Sequence, residues 1–127
     1  GLGTSGTFVG TSRRLIELRS EIQTISFMPD SPFHGLEGLK HMPTSIVPKI
    51  YDPGLAQENL KISTEQSQRM VVRLAREEGL LAGLSSGAAM VAVLKVAENI
   101  DRGTIVTVFP DGADKYLSEE FWDGADF

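Results

Sequence analysis

The apolar residues of this chain fall into three helical stretches and several short β-branched runs. Over residues 6–19, Phe8, Val9, Leu15, Ile16 and Leu18 recur among polar residues in a helix-like pattern. Gly6 and Gly10 leave that helix room for close packing against a sheet. Residues 23–28 (QTISFM) are rich in β-branched and aromatic side chains and meet Pro29, which predicts a short strand. From residue 30 to 55 the pattern is lost, interrupted by Pro32, Gly35, Gly38, Pro43, Pro48, Pro53 and Gly54. A loop of that length inside a domain points to function, with one helical turn expected near 36–41.

Residues 58–62 form a weaker strand candidate. Ser63-Thr64-Glu65-Gln66 then reads as a capping box, since Ser63 can cap and Gln66 can reach back to its N–H. The helix it opens carries Met70, Val71, Leu74 and Ala75 on one side and ends at Glu78, with Gly79 as its stop. After a short apolar run at 80–82 comes a second glycine-serine turn, residues 83–87. A third helix is expected over 88–99, apolar on nearly all sides and therefore buried. Gly103 breaks it, and residues 104–109 (TIVTVF) are the clearest strand of all. Strands alternating with helices predict an α/β fold, a mainly parallel sheet with flanking helices, whose ligands sit at the carboxyl ends of the strands.

Composition narrows the possibilities. A chain of 127 residues suffices for one core, and 41% hydrophobic with 23% charged residues describes a globular protein. The net charge of −5, with Lys and Arg scattered, gives no reason to expect nucleic acid. No apolar run approaches the roughly 20 residues of a membrane span. The absence of cysteine excludes disulfides and suits a cytoplasmic protein. His34 and His41 lack metal-ligand spacing and read as loop residues, so no metal is expected.

The candidate chemistry lies in two turns. Gly1-Leu2-Gly3-Thr4-Ser5-Gly6-Thr7 precedes the first helix. Its glycines permit close backbone approach, and the free amides at a helix N-terminus favour an anion such as phosphate. No lysine follows Gly6, so it is not a nucleotide-triphosphate P-loop. It satisfies G-x-G-x-x-G, with Asp30 beyond, but a dinucleotide site also needs a strand before the turn. A phosphate turn needs that strand too, so the chain is expected to be part of a longer protein. A glycine-rich turn with no ligand is the plain alternative.

Taken together, GTSGT at 3–7, GLSSGAA at 83–89 and FPDGADKYLS at 109–118 resemble the cysteine synthase (O-acetylserine sulfhydrylase) family. The opening GLGTSGT, the run EEGLLAG and Val47-Pro48-Lys49-Ile50-Tyr51 look closest to its cysteine synthase B branch. The resemblance covers the whole chain. It implies the fold-type II (tryptophan synthase β-like) architecture and pyridoxal 5′-phosphate as cofactor. Gly3, Thr4, Ser5, Gly6 and Thr7 would then grip the cofactor phosphate, and Ser85 would face the pyridine nitrogen. Asp111, beside Gly112, would lie near the ring, and Gly38 and Met42 over the substrate. Ser85 and Ser86 have another reading as helix caps, and Asp111 another as a turn residue. Tyr116 and Trp122 are expected to pack the tail.

The implied reaction is a β-replacement that makes L-cysteine from an O-activated serine and a sulfur donor. A neutral hydroxyl at the ring nitrogen does not favour extra positive charge there, which suits elimination of a group that leaves readily. The family's Schiff-base lysine belongs to an N-terminal half absent here. None of Lys40, Lys49, Lys61, Lys95 and Lys115 stands in its motif. Residues 1–127 are thus expected to be the C-terminal part of a pyridoxal-phosphate domain, inactive alone. Its expected partners are the N-terminal half, the amino-acid substrate and sulfur donor, and a second copy in a full-length homodimer. Cystathionine β-synthase or a serine/threonine dehydratase is the nearest alternative. A non-catalytic domain that binds a phosphate ligand is the next, and a dinucleotide-binding oxidoreductase comes last.

Overall fold

In the computed structural model, which describes residues 1–123, the chain order is α1 (Gly6–Leu18), β1 (Ile25–Pro29), β2 (Glu58–Ile62), α2 (Thr64–Glu78) and α3 (Leu84–Ala97). Single 3₁₀ turns occur at Met42–Thr44, Ala113–Lys115 and Glu120–Trp122. The two strands pair in parallel, with Ile25 opposite Glu58 and Pro29 opposite Ile62. The architecture is therefore α/β, as the alternation of patterns predicts.

β1 is buried on both faces, which explains why its sequence lacks polar alternation. Successive strand residues point to opposite sides. Phe27 accordingly joins the main core with Leu36, Ile62, Val71 and Leu84, while Met28 joins a smaller cluster with Leu2 and Met42. Outside β1, Leu2 donates its N–H to the Phe27 carbonyl at 3.0 Å, so the chain enters the glycine-hydroxyl turn alongside the strand.

α2 begins and ends as its sequence dictates. The Ser63 hydroxyl accepts the Gln66 N–H at 3.1 Å, and the Gln66 side chain accepts the Ser63 N–H at 3.2 Å. At the other end Gly79 takes φ 67°, a left-handed stop. α3 lies against α2 with almost no space between backbones. A Cβ on Gly87 would overlap the Ser67 carbonyl oxygen.

Five expectations change. α3 starts at Leu84, four residues earlier than the pattern predicts, because Gly83 serves as its N-cap without any side-chain cap. Only its first part is buried, to Ala92, and the last turns reach the surface. Gly10 is exposed, and a Cβ added to it would meet nothing within 4 Å, so it makes no sheet contact. The helical turn expected at 36–41 occurs instead at Met42–Thr44, where Pro43 has the φ that the turn requires.

The largest change concerns residues 104–109. No regular structure forms there, and Val106 and Val108 are 86% and 69% exposed. A strand exists only through its ladder, and no described residue offers this segment a backbone hydrogen bond. The β-forming composition is present without a neighbour to pair with.

Candidate functional site

The first turn ends in a conformation that serine rarely adopts. Ser5, the residue preceding α1, has φ 67° and ψ 0°, a left-handed position usually held by glycine. Its side chain is buried, yet the hydroxyl caps nothing and has no hydrogen-bond partner. The amides of Gly6, Thr7 and Phe8 likewise donate to no described acceptor, as expected in the first turn of a helix. Thr4 and Thr7 are exposed at the rim. A hydroxyl and several amides thus face the same end of the helix without partners. A donor set of that chemistry suits an anion.

The second turn is tied to the last one. Gly83 donates its N–H to the Asp111 carbonyl at 3.1 Å, and Ala82 pairs with Gly112 across an antiparallel bridge. Ser86 donates its hydroxyl to that Asp111 carbonyl at 3.3 Å. The hydroxyl of Ser85, buried in the first turn of α3, makes no hydrogen bond to a described residue. Neither serine caps the helix. Ser86 is committed to the fold through Asp111, and the Ser85 hydroxyl is not.

Asp111 is a turn residue with an occupied carboxylate. Its Oδ2 accepts from the Tyr116 hydroxyl at 3.2 Å and from Lys115 Nζ at 3.5 Å, while its buried Oδ1 has no partner. The carboxylate rests on Gly83, where an added Cβ would overlap Oδ1. Burial, and then the neighbouring Asp111 charge and hydrogen bond, push the Tyr116 hydroxyl up to about 12. Beside this cluster lies a cavity of about 500 Å³, bordered by Gly38, Leu39, Gln68, Leu84, Lys115 and Tyr116.

A family model described as a pyridoxal-phosphate dependent enzyme matches residues 1–111. The chain belongs to that family. It is 41% identical to the cysteine synthase of Aquifex aeolicus over 99% of its own length and 40% of that protein's. It is 38% identical to the O-acetylserine dependent cystathionine beta-synthase of Bacillus subtilis, over 98% of this chain and 42% of the relative. Among solved structures, the cysteine synthase of Entamoeba histolytica superposes with a TM-score of 0.89 at 30% identity, over 99% of this chain and 40% of that one. The chain therefore spans about two fifths of the length of the relatives that it matches.

Membership of the family gives the residues a frame. Gly3, Thr4, Ser5, Gly6 and Thr7 form one continuous turn at the start of α1. Gly38 lies against it, since a Cβ on Gly3 would overlap the Gly38 carbonyl oxygen. Met42 is placed differently from Gly38, its side chain buried with Leu2 and Met28. Ser85 and Asp111 meet through Gly83 at the start of α3. Tyr116 packs the tail, accepting from Trp122 Nε1 through its carbonyl at 2.8 Å, and also holds Asp111. The sequence pattern did not give that second role. The spacing of Asp111 and Tyr116 around a 3₁₀ turn was the available signal.

Proposed function

We propose that this chain carries the phosphate cup and the ring-nitrogen contact of a cysteine synthase-like enzyme. In the full protein that enzyme would replace the β-substituent of an O-activated serine with sulfur, forming L-cysteine. The observation that carries the reading is the buried, partnerless hydroxyl of Ser5 in a left-handed position before α1. A group placed there at such cost is explained by a ligand that it serves.

The residues present suit pyridoxal 5′-phosphate. Ser5, with the amides of Gly6 and Thr7, would hold the phosphate, and Thr4 and Thr7 would add hydroxyls from the rim. Ser85 would meet the ring nitrogen with a neutral hydroxyl that does not draw positive charge onto it. When bound, the cofactor supplies an electron-withdrawing ring that stabilises negative charge at the substrate's Cα. Asp111 and Tyr116 hold the third turn in place, so their role is to orient.

On this reading the chain is the C-terminal part of the cofactor domain, and a lysine from the remaining part of the protein anchors the cofactor. The amino-acid substrate, the sulfur donor and a second copy complete the assembly. Val47-Pro48-Lys49-Ile50-Tyr51 supports the cysteine synthase B branch. A second reading, with a thiol as the sulfur donor, is supported by the name of the Bacillus subtilis relative.

Titration with pyridoxal 5′-phosphate, borohydride reduction and intact-mass measurement test the proposal. Saturable binding without a stoichiometric adduct is expected. A single-site adduct would place the anchoring lysine within this chain, and no binding would remove the cup.

A further inference from the structure

The cup and the loop at 34–39 meet through close backbone contacts. Gly3 is held so close to the Gly38 carbonyl that no side chain fits between them. On either side, Leu2 is fixed by two main-chain bonds, donating to Phe27 at 3.0 Å and accepting from the Lys40 N–H at 2.8 Å. Leu2 and Leu36 are fully buried, so both segments are pinned to the core. Gly38 has φ 79°, a conformation that glycine adopts without steric cost. The other side of the same loop forms one wall of the cavity completed by Leu84 and Tyr116.

We propose that Gly38 is a positioning residue: its carbonyl, seated on Gly3, sets the shape of the phosphate cup and makes the 34–39 loop respond to what the cup binds. The inference rests on the reading of the cup as a phosphate site. Close-packed backbone has no soft side chain to absorb a shift. A phosphate that draws in the amides after Ser5 therefore moves Gly3, and the Gly38 carbonyl and Lys40 N–H follow. Coupling of this kind is reciprocal, so a displaced loop weakens the cup.

Gly38→Ala isolates the effect, because an added Cβ meets nothing within 4 Å and disturbs only the backbone angle. Gly79→Ala is the matched control, with φ 67°, equally open space and a position at the end of α2. The affinity for pyridoxal 5′-phosphate divided by that for pyridoxal isolates the contribution of the phosphate. Gly38→Ala should lower this ratio by about tenfold, the worth of one hydrogen bond to a charged group. Gly79→Ala should lose similar thermal stability and keep the ratio. Hydrogen exchange supplies the second readout. Pyridoxal 5′-phosphate should slow exchange of the Lys40 amide in the unsubstituted chain and leave it unchanged in Gly38→Ala.

If Gly38→Ala keeps the full ratio, or if the Lys40 amide ignores the ligand, the positioning role is overturned while the phosphate cup stands. If the unsubstituted chain binds both compounds equally, the cup reading itself fails and the positioning role falls with it.

Discussion

Ser5 combines two unfavourable features at one position, a left-handed backbone and a buried hydroxyl with no partner. Glycine would remove both. Ser5→Gly should therefore stabilise the ligand-free chain by about 1 kcal/mol. It should also weaken pyridoxal 5′-phosphate binding by about tenfold, since the proposed cup loses a donor. Urea unfolding and ligand titration of the same samples check the two signs, and a destabilised variant would show that the hydroxyl serves the fold. Tyr116 gives a second residue-scale prediction. Its hydroxyl is raised from 10.0 to about 12, first by burial and then by Asp111. The folded state thus keeps the phenol neutral where the unfolded chain already ionises. This contribution to stability is whole below pH 10 and declines as pH rises toward about 12. Denaturant unfolding across that window should show a smaller decline for Tyr116→Phe than for the unsubstituted chain.

Among the elements, α2 and α3 depend on each other most closely. Gly87 touches the Ser67 carbonyl and Val71, with no room for a methyl group. Gly87→Ala must push the helices apart and should cost about 1–3 kcal/mol, as overpacking of a core does. Gly10, in the middle of α1, is the opposite case, with open space around it. Gly10→Ala should be neutral or stabilise by up to about 1 kcal/mol through helix propensity. Guanidinium midpoints of the two variants should move in opposite directions or differ widely. A similar small shift for both would mean that the α2–α3 contact is looser than its geometry.

At the scale of the molecule, the described fold leaves Thr104, Val106 and Val108 exposed on a segment with strong strand propensity. Unpaired β-forming backbone with apolar side chains is a template for association. Sedimentation velocity should show association that grows with concentration. Val106→Lys together with Val108→Lys should suppress it while shifting stability by no more than about 0.5 kcal/mol, as for surface substitutions. Unchanged association in the double variant would assign it to another surface. The exposed segment also accords with a chain that covers 40% of its Aquifex aeolicus relative and 40% of the Entamoeba histolytica structure.

What the sequence determined by itself was local or chemical. The capping box at Ser63 and Gln66, the stop at Gly79 and the bounds of β2 could be read directly, because helix caps and turns are made by neighbours in the chain. The two glycine-hydroxyl turns and the Pro110-Asp111-Gly112 turn also pointed to the pyridoxal-phosphate family, by residue types that stand in a row. Only the tertiary structure decided the rest. Residues 104–109 had every local mark of a strand and lacked the distant partner that makes one. The resemblance singled out Ser85, but only the packed fold showed that Asp111 engages Ser86. The contact of Gly3 with Gly38 left only two glycines in the sequence, because close approach between backbones far apart in the chain is a property of the packed fold.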